Sequence, residues 1–361
     1  MSSEIAAPFS ELSELQRRQL LDAESLFDAL EAAQSEAWRY RGSMFWREQD
    51  GRKYLIQLSA EAKQRSLGPE SVDARQTFTR FMTRKEVVEA RLKDLKSQAV
   101  LAKRMNRALR VGRTPDILVD TLNVLAKARV SSHFLLVGTN ALYAYETAAG
   151  VRFPNDVLET RDADFLYDTR HRAKFLQVMS DEGVSFMDLL RKVDKTFERH
   201  PTENCTAVNS KGYEIDLIRR FPPPELEATE HPLQITPNDG DLWAVRAATG
   251  QRLLSVAKFS QMVVGTSGSM ARMLTVHPMA FARIKRQLSK DPQRDPRKAP
   301  KDWAQAHLVD ELVSRFLPHL AAQPDVQSET DLPDPDDVAI ARTPAASASA
   351  APAKPGRTRM R

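Results

Sequence analysis

The chain has 361 residues, 42% of them hydrophobic and 28% charged, an ordinary composition for a folded protein that buries a substantial core. No run is long and apolar enough to span a bilayer, and Met1 to Ser10 lacks the basic start and apolar stretch of a secretory signal, which points to a cytoplasmic protein without a membrane partner. A single cysteine, Cys205, excludes an intrachain disulfide, and a net charge of +5 gives a mild bias toward polyanionic partners.

Glu11 to Arg41 is dense in Leu, Ala, Glu and Gln, with Leu15, Leu20, Leu26 and Leu30 at helical spacing, which predicts one long helix or a helix pair. Asp50-Gly51 between Met44-Phe45-Trp46 and Tyr54-Leu55-Ile56 predicts a β-hairpin. Its aromatic residues Phe45, Trp46 and Tyr54 read as a small core or as a stacking platform for bases. Ser66 to Pro69 reads as a loop, followed by a long helix from about Ala74 to Leu109. A further helix, Ile117 to Ala128, starts after Thr114-Pro115-Asp116. No acid falls between Asp94 and Asp116, while Lys96, Lys103, Arg107 and Arg110 recur there at helical spacing. Such a face either attracts an RNA backbone or is merely solvated.

The densest chemistry lies between Phe134 and Asp216. An apolar strand, Phe134 to Val137, runs into Gly138-Thr139 and then a helical pattern from Ala141 to Glu146. Backbone N–H groups at such a helix start suit a phosphate. Asn140 is placed to cap that helix. In Asp162-Ala163-Asp164 the two acids are two apart on a strand and project to one face. Adjacent carboxylates repel, and a hard divalent cation relieves the repulsion. Asp216, on the alternating strand Tyr213 to Arg219, supplies a third carboxylate, with Glu214 on its face; Asp168 reads as a turn residue. Helices follow near His171 to Ser180 and Phe186 to Arg191, and Asn204 to Asn209 reads as a strand. Pro222-Pro223-Pro224 reads as a stop. Leu253 to Val264 is partly β-prone, Gly265 to Ser269 is a turn between strands, and helices Pro278 to Leu288 and Trp303 to Leu317 close the folded part. From Gln323 onward the composition shifts to Pro, Asp, Ala and Ser, which predicts disorder.

This order of turn, Asp-x-Asp strand and later single Asp resembles the DNA polymerase β-like nucleotidyltransferase superfamily. The string Val137 to Glu146, with Ser66-Leu67-Gly68-Pro69, Lys301-Asp302 and Gln305-Ala306, is similar to a bacterial nucleotidyltransferase-fold family over roughly Tyr40 to Leu320. Thr139 stands where Ser or Gly is commoner, and the long gap from Gly138 to Asp162 implies an inserted loop around Gly150 to Asn155. The resemblance implies an α+β fold. A polymerase β-like core of mixed sheet and helices (113–225) would follow an N-terminal helical arm with a β-hairpin (1–112), and would precede a mostly helical C-terminal part (226–322) and a disordered tail (323–361).

The same resemblance implies Mg²⁺-dependent transfer of a nucleotide from a nucleoside triphosphate to an acceptor, RNA or protein, with a toxin or defence role by analogy. Asp162, Asp164 and Asp216 would be the catalytic residues and hold two Mg²⁺ ions; Gly138, Thr139 and Lys285 would bind the nucleotide, with Lys298 and Lys301 as weaker candidates. The competing reading is a non-catalytic nucleic-acid-binding or scaffold protein that retains the fold.

Overall fold

Ser13 opens the first long element. It forms a capping box with Gln16, and the Leu/Ala spacing beyond it carries one helix rather than a pair, α1 (Glu14–Arg39), just after a two-residue strand β1 (Ser10–Glu11). The computed structural model describes residues 9–60, 63–222 and 233–321, all within the single contact unit Met1–Asp325.

Asp50 and Gly51 both have positive φ, 51° and 70°, and join β2 (Ser43–Gln49) to β3 (Arg52–Leu58) as a hairpin. The segment expected as a loop is a third strand, β4 (Gln64–Pro69), antiparallel to β3. A register shift at Leu55/Ile56 and Gly68 at φ 118° break its alternation, which is why periodicity misses it. The sheet lies on α2 (Val72–Ala108), a 37-residue helix roughly 55 Å long. Trp46 packs 5.9 Å from Phe78 and Tyr40 packs 5.7 Å from Phe81, so Trp46 serves packing.

Helix α1 fastens α2 to the rest of the chain. Gln19 Nε2 donates to Asn106 Oδ1 at 2.9 Å, and Asn106 Nδ2 donates to Gly268 O at 3.2 Å. Arg272 reaches Glu31 and Asp28 on α1, and the Arg129 guanidinium lies 3.9 Å over the Trp38 ring. Leu20, Ala23 and Phe27 of α1 form with Ala102, Met262, Val264 and Met270 a core separate from the main one.

The main core surrounds a mixed sheet. After α3 (Asp116–Lys127) come β5 (Phe134–Val137), α4 (Leu142–Ala149), β6 (Val151–Arg152), α5 (Asn155–Leu158) and β7 (Asp162–Tyr167). The expected insert around Gly150 to Asn155 is thus partly structured, and β6 pairs antiparallel with β1. Next are α6 (Arg172–Glu182), α7 (Phe186–Val193), β8 (Glu198–Arg199), β9 (Thr206–Val208) and β10 (Glu214–Arg219). β11 (Leu233–Gln234) and β12 (Trp243–Arg246) extend this sheet, which runs β11-β12-β10-β7-β5 with β9 beside β10 and β8 beside β9. Strand β7 is antiparallel to β5 and parallel to β10.

Helix α8 (Gly250–Ser255) precedes the hairpin β13 (Lys258–Val264) and β14 (Met270–Val276), whose turn is the expected Gly265 to Ser269. Helices α9 (Pro278–Lys290), α10 (Ala299–Phe316) and α11 (Pro318–Ala321) complete the described chain. Among its described residues the C-terminal part therefore contains four strands as well as its helices. Pro223, Pro224 and the tail expected from Gln323 lie outside the described residues. No described helix is long and apolar enough to cross a membrane.

Gly268 is the residue on which the hairpin meets α2. Its φ is 83°, and a Cβ there would lie 2.1 Å from Lys103 O. Gly268→Ala is expected to lower stability by about 2 kcal/mol or more, through a strained backbone and a steric clash. Urea unfolding followed by circular dichroism measures it; an unchanged midpoint would mean that α2 does not rest on this turn.

Candidate active site

The sheet register assembles the site. Parallel pairing of β7 with β10 sets Glu214 opposite Asp162 and Asp216 opposite Asp164, while Ala163, Phe165, Ile215 and Leu217 turn into the core. Ligand-capable oxygens of Asp162, Asp164 and Asp216 lie within 4.8 Å of one another, and all three residues are half-buried. On the other side β5 pairs Val137 with Asp164, which brings the next residue, Gly138, against the Asp164 carboxylate. Gly138 has φ 71°, and a Cβ there would lie 2.4 Å from Asp164 Oδ2. Only glycine fits both demands.

Gly138–Ala141 is a single 3₁₀ turn that leads into α4. Asn140 does not cap the helix. It is buried, and its Nδ2 donates to Asp162 O at 2.6 Å, which fixes the start of β7. Thr139 Oγ1 accepts from Gln305 Nε2 at 3.2 Å, and the same Gln305 amine donates to Val157 O at 2.7 Å. Helix α10 is thereby tied both to the turn and to α5. Asn140 Oδ1, Gln305 Oε1 and Tyr213 Oη are buried with no hydrogen-bond partner among the described residues.

Burial, then repulsion from Asp162 and Asp216, pushes the Asp164 carboxyl up to about 7 against the opposing pull of Lys285 and Lys298. Burial raises Asp216 too, with Asp162, Glu214 and Glu203 adding to it; the Thr206 hydroxyl, which donates to Asp216 Oδ1 at 2.5 Å, works the other way. Thr160 donates to Asp162 Oδ1. None of the three aspartates forms an ion pair among the described residues. An unpaired, oxygen-only donor set under mutual repulsion suits a hard divalent cation, so the residues present fit Mg²⁺.

Lys285 of α9 is buried with its Nζ 2.6 Å from Asp302 Oδ1, and Arg294 Nε donates to Asp302 Oδ2 at 2.7 Å. Burial lowers the Lys285 amine; Asp302 and, more weakly, Asp164 hold it up. Lys285 and Lys298 thus both act on the carboxylate cluster, whereas Lys301 donates to Glu159 O. Arg219 is fully buried and donates to Ala244 O at 3.1 Å, well suited to holding β12. Asp168 caps a turn and pairs with Arg170, as its position suggested. Cys205 is half-buried beside Thr206, and burial pushes its thiol up, which suits packing rather than nucleophilic attack.

The residues that periodicity passes over are Thr206, Asp302 and Gln305. The last two lie within the short strings Lys301-Asp302 and Gln305-Ala306, which are visible as text but carry no spacing signal of their own. Arg113 is a fourth: it pairs with Glu146 on α4 at 2.6 Å and donates to Phe153 O at 2.7 Å, bracing the helix that leaves the Gly138 turn.

The raised Asp164 value sets a pH dependence. Between about pH 4 and 7 the folded protein keeps a proton that the unfolded chain has released, so metal-free stability falls as pH rises through that window. Asp164→Asn is expected to gain on the wild type from about pH 4 to 7 and to level off above it. Calorimetry in chelator checks this; a gain that is the same at pH 4 and pH 8 would remove Asp164 as its source.

Divalent cation should stabilise the wild type, and Gly138→Ala should abolish that response by displacing the Asp164 carboxylate. Thermal melts with and without millimolar Mg²⁺ or Mn²⁺ measure it. An undiminished shift in the variant would mean that the cation sits elsewhere.

Residues 117–331, more than half of the 361-residue chain, match the family model described as nucleotidyltransferase. Searches of the curated proteins and of the solved structures find no match. The carboxylate cluster lies inside the matched span, and the chain belongs to the nucleotidyltransferase family.

Proposed function

We propose that this protein transfers a nucleotide from a nucleoside triphosphate to an acceptor, RNA or protein, in the manner of the polymerase β-like superfamily. The observation that carries the reading is the convergence of Asp162, Asp164 and Asp216 against the Gly138 turn, inside a span that matches the nucleotidyltransferase family. Asp162, Asp164 and Asp216 would hold Mg²⁺, which when bound supplies charge neutralisation and lowers the pKa of a coordinated oxygen. The turn Gly138-Thr139 offers backbone N–H groups to phosphate, and Gln305 holds Thr139 in place. Lys285, held by its hydrogen bond to Asp302, adds a fixed amine on the phosphate side, and Lys298 a second. Thr206 orients the Asp216 carboxylate.

In this reading residues 1–112 serve as an arm, 113–225 as the catalytic core and 226–322 as the part that brings the cations. A bacterial cytoplasmic enzyme with a toxin or defence role is the biological setting we infer from the superfamily's habits. The alternative, a non-catalytic protein that retains the fold, is disfavoured by three intact carboxylates with no ion-pair partner among the described residues.

Incubation with each labelled nucleoside triphosphate, Mg²⁺ and total cell extract tests the reading. Label is expected on a macromolecule. Asp162→Asn, Asp164→Asn and Asp216→Asn should each reduce transfer by at least about a thousandfold without unfolding the protein. Lys285→Ala should weaken triphosphate binding but leave nucleoside binding alone. Wild-type transfer by any of the three aspartate variants, or no transfer by the wild type with any triphosphate, would favour the non-catalytic alternative.

A further inference from the structure

The charge of this molecule is unevenly placed. Helix α2 carries ten Lys or Arg and four Asp or Glu, a net +6, against +5 for the whole chain. All of the net positive charge thus resides on one helix, and the remainder of the chain is close to neutral.

The structure also sorts these cations by direction. On α2 the buried residues are Val88, Ala102 and Asn106, which face α1 and the Gly268 turn. At 100° per residue, Lys93, Lys96, Arg104 and Arg107 fall to one side of that buried face, within one stripe about 80° wide in which Arg107 adjoins the Gly268 turn. All four are exposed, and none forms an ion pair among the described residues. Lys103, which sequence spacing grouped with this face, stands at its edge, where it interacts with Asp116 and Asp120 of α3. Arg110 lies beyond the end of the helix. The stripe spans about 21 Å along the axis.

The basic end of α2 is also the end joined to the catalytic core. It is anchored through Asn106 to the β13–β14 turn, and the chain then runs through Arg113 to Glu146 on α4, the helix that leaves the Gly138 turn.

We propose that the Lys93–Lys96–Arg104–Arg107 stripe of α2 docks the phosphate backbone of an RNA duplex and so presents an RNA acceptor to the carboxylate cluster. The proposal rests on the transferase reading for the presentation step, but not for the docking itself. A row of unpaired cations on a rigid rod matches the regular negative charge of a duplex backbone. Trp46 of the neighbouring sheet and Tyr40 at the end of α1 are committed to packing on α2, so the recognition is of backbone shape rather than of stacked bases.

The test uses the full chain and three probes: a 20-base-pair RNA duplex, a single strand of the same sequence, and poly-glutamate of matched charge. Binding is followed by fluorescence anisotropy from low to moderate KCl. The wild type is expected to bind the duplex more tightly than poly-glutamate, with affinity falling linearly on a logarithmic salt scale. K93Q/K96Q/R104Q/R107Q should weaken duplex binding by about tenfold or more and flatten the slope by roughly 3 to 4. Its melting temperature and its triphosphate binding should match the wild type, because all four side chains are exposed and remote from the site's contacts. Asp164→Asn should dock duplex normally while losing transfer, so loss of transfer alone counts only against the enzyme reading. Duplex binding by the quadruple variant equal to wild type overturns the proposal, as does no duplex binding at low salt. Binding of poly-glutamate as tight as that of the duplex also overturns it and makes an acidic protein the partner.

Discussion

Like charges held side by side within a sheet repel, and the pairing of β7 with β10 holds Asp164 beside Asp216 and Asp162 beside Glu214. Such a register is unfavourable for an isolated protein and must be enforced from elsewhere. The enforcement comes from the opposite faces of the same strands, where Ala163, Phe165, Ile215 and Leu217 are fully buried. A one-residue slip would send those apolar side chains to the polar face, so the hydrophobic pattern fixes the acidic one. The rest of the site accommodates that fixed cluster: glycine where a Cβ would collide with a carboxylate, hydroxyls from Thr160 and Thr206 on single oxygens, and lysine charge from a neighbouring helix.

Asp302 gives the cationic side of the site an unusual economy. One carboxylate accepts from both Lys285 and Arg294, so the trio retains one net positive charge while both cations are held in place. Side chains already ordered lose little entropy when an anion arrives. The same carboxylate competes with that anion for the two cations. In the proposed transfer this arrangement would favour correct placement over tight retention, which would suit a site that releases a charged product.

Much of this was legible in the amino-acid text, and the reasons differ by element. The two acidic strands were readable because period-two alternation and paired carboxylates coincide over a few residues. The long helix α2 and the Asp50-Gly51 hairpin were readable from local chemistry alone. What local text does not carry is register between distant strands, so nothing in Glu214 to Arg219 announces that Asp216 sits opposite Asp164. Strand β4 was obscured by its bulge and by Gly68. Asn140 looked like a cap because its position fits one; its side chain turned inward to a backbone carbonyl 22 residues further along the chain. The cations at 96 to 113 stood out by composition, but their direction depends on which side of α2 meets α1, and only packing settles that; Lys93 joins them only in the structure.

Three fastenings lie along the α1–α2 pair: Asn106 on the Gly268 carbonyl, Arg272 on Glu31 and Asp28, and Arg129 over Trp38. One of the three holds α2 directly and two hold α1, which packs along α2, so the helices are fastened as a pair. Fastening of that kind would hold the distance from the anchored end of α2 to the three aspartates near a single value. If an acceptor docks along α2 as proposed, the helix would gauge it: only one whose reactive group lies a set span from its docked segment would reach the carboxylates. Selection of that kind works as a ruler, by length and rigidity, and needs no reading of sequence at all.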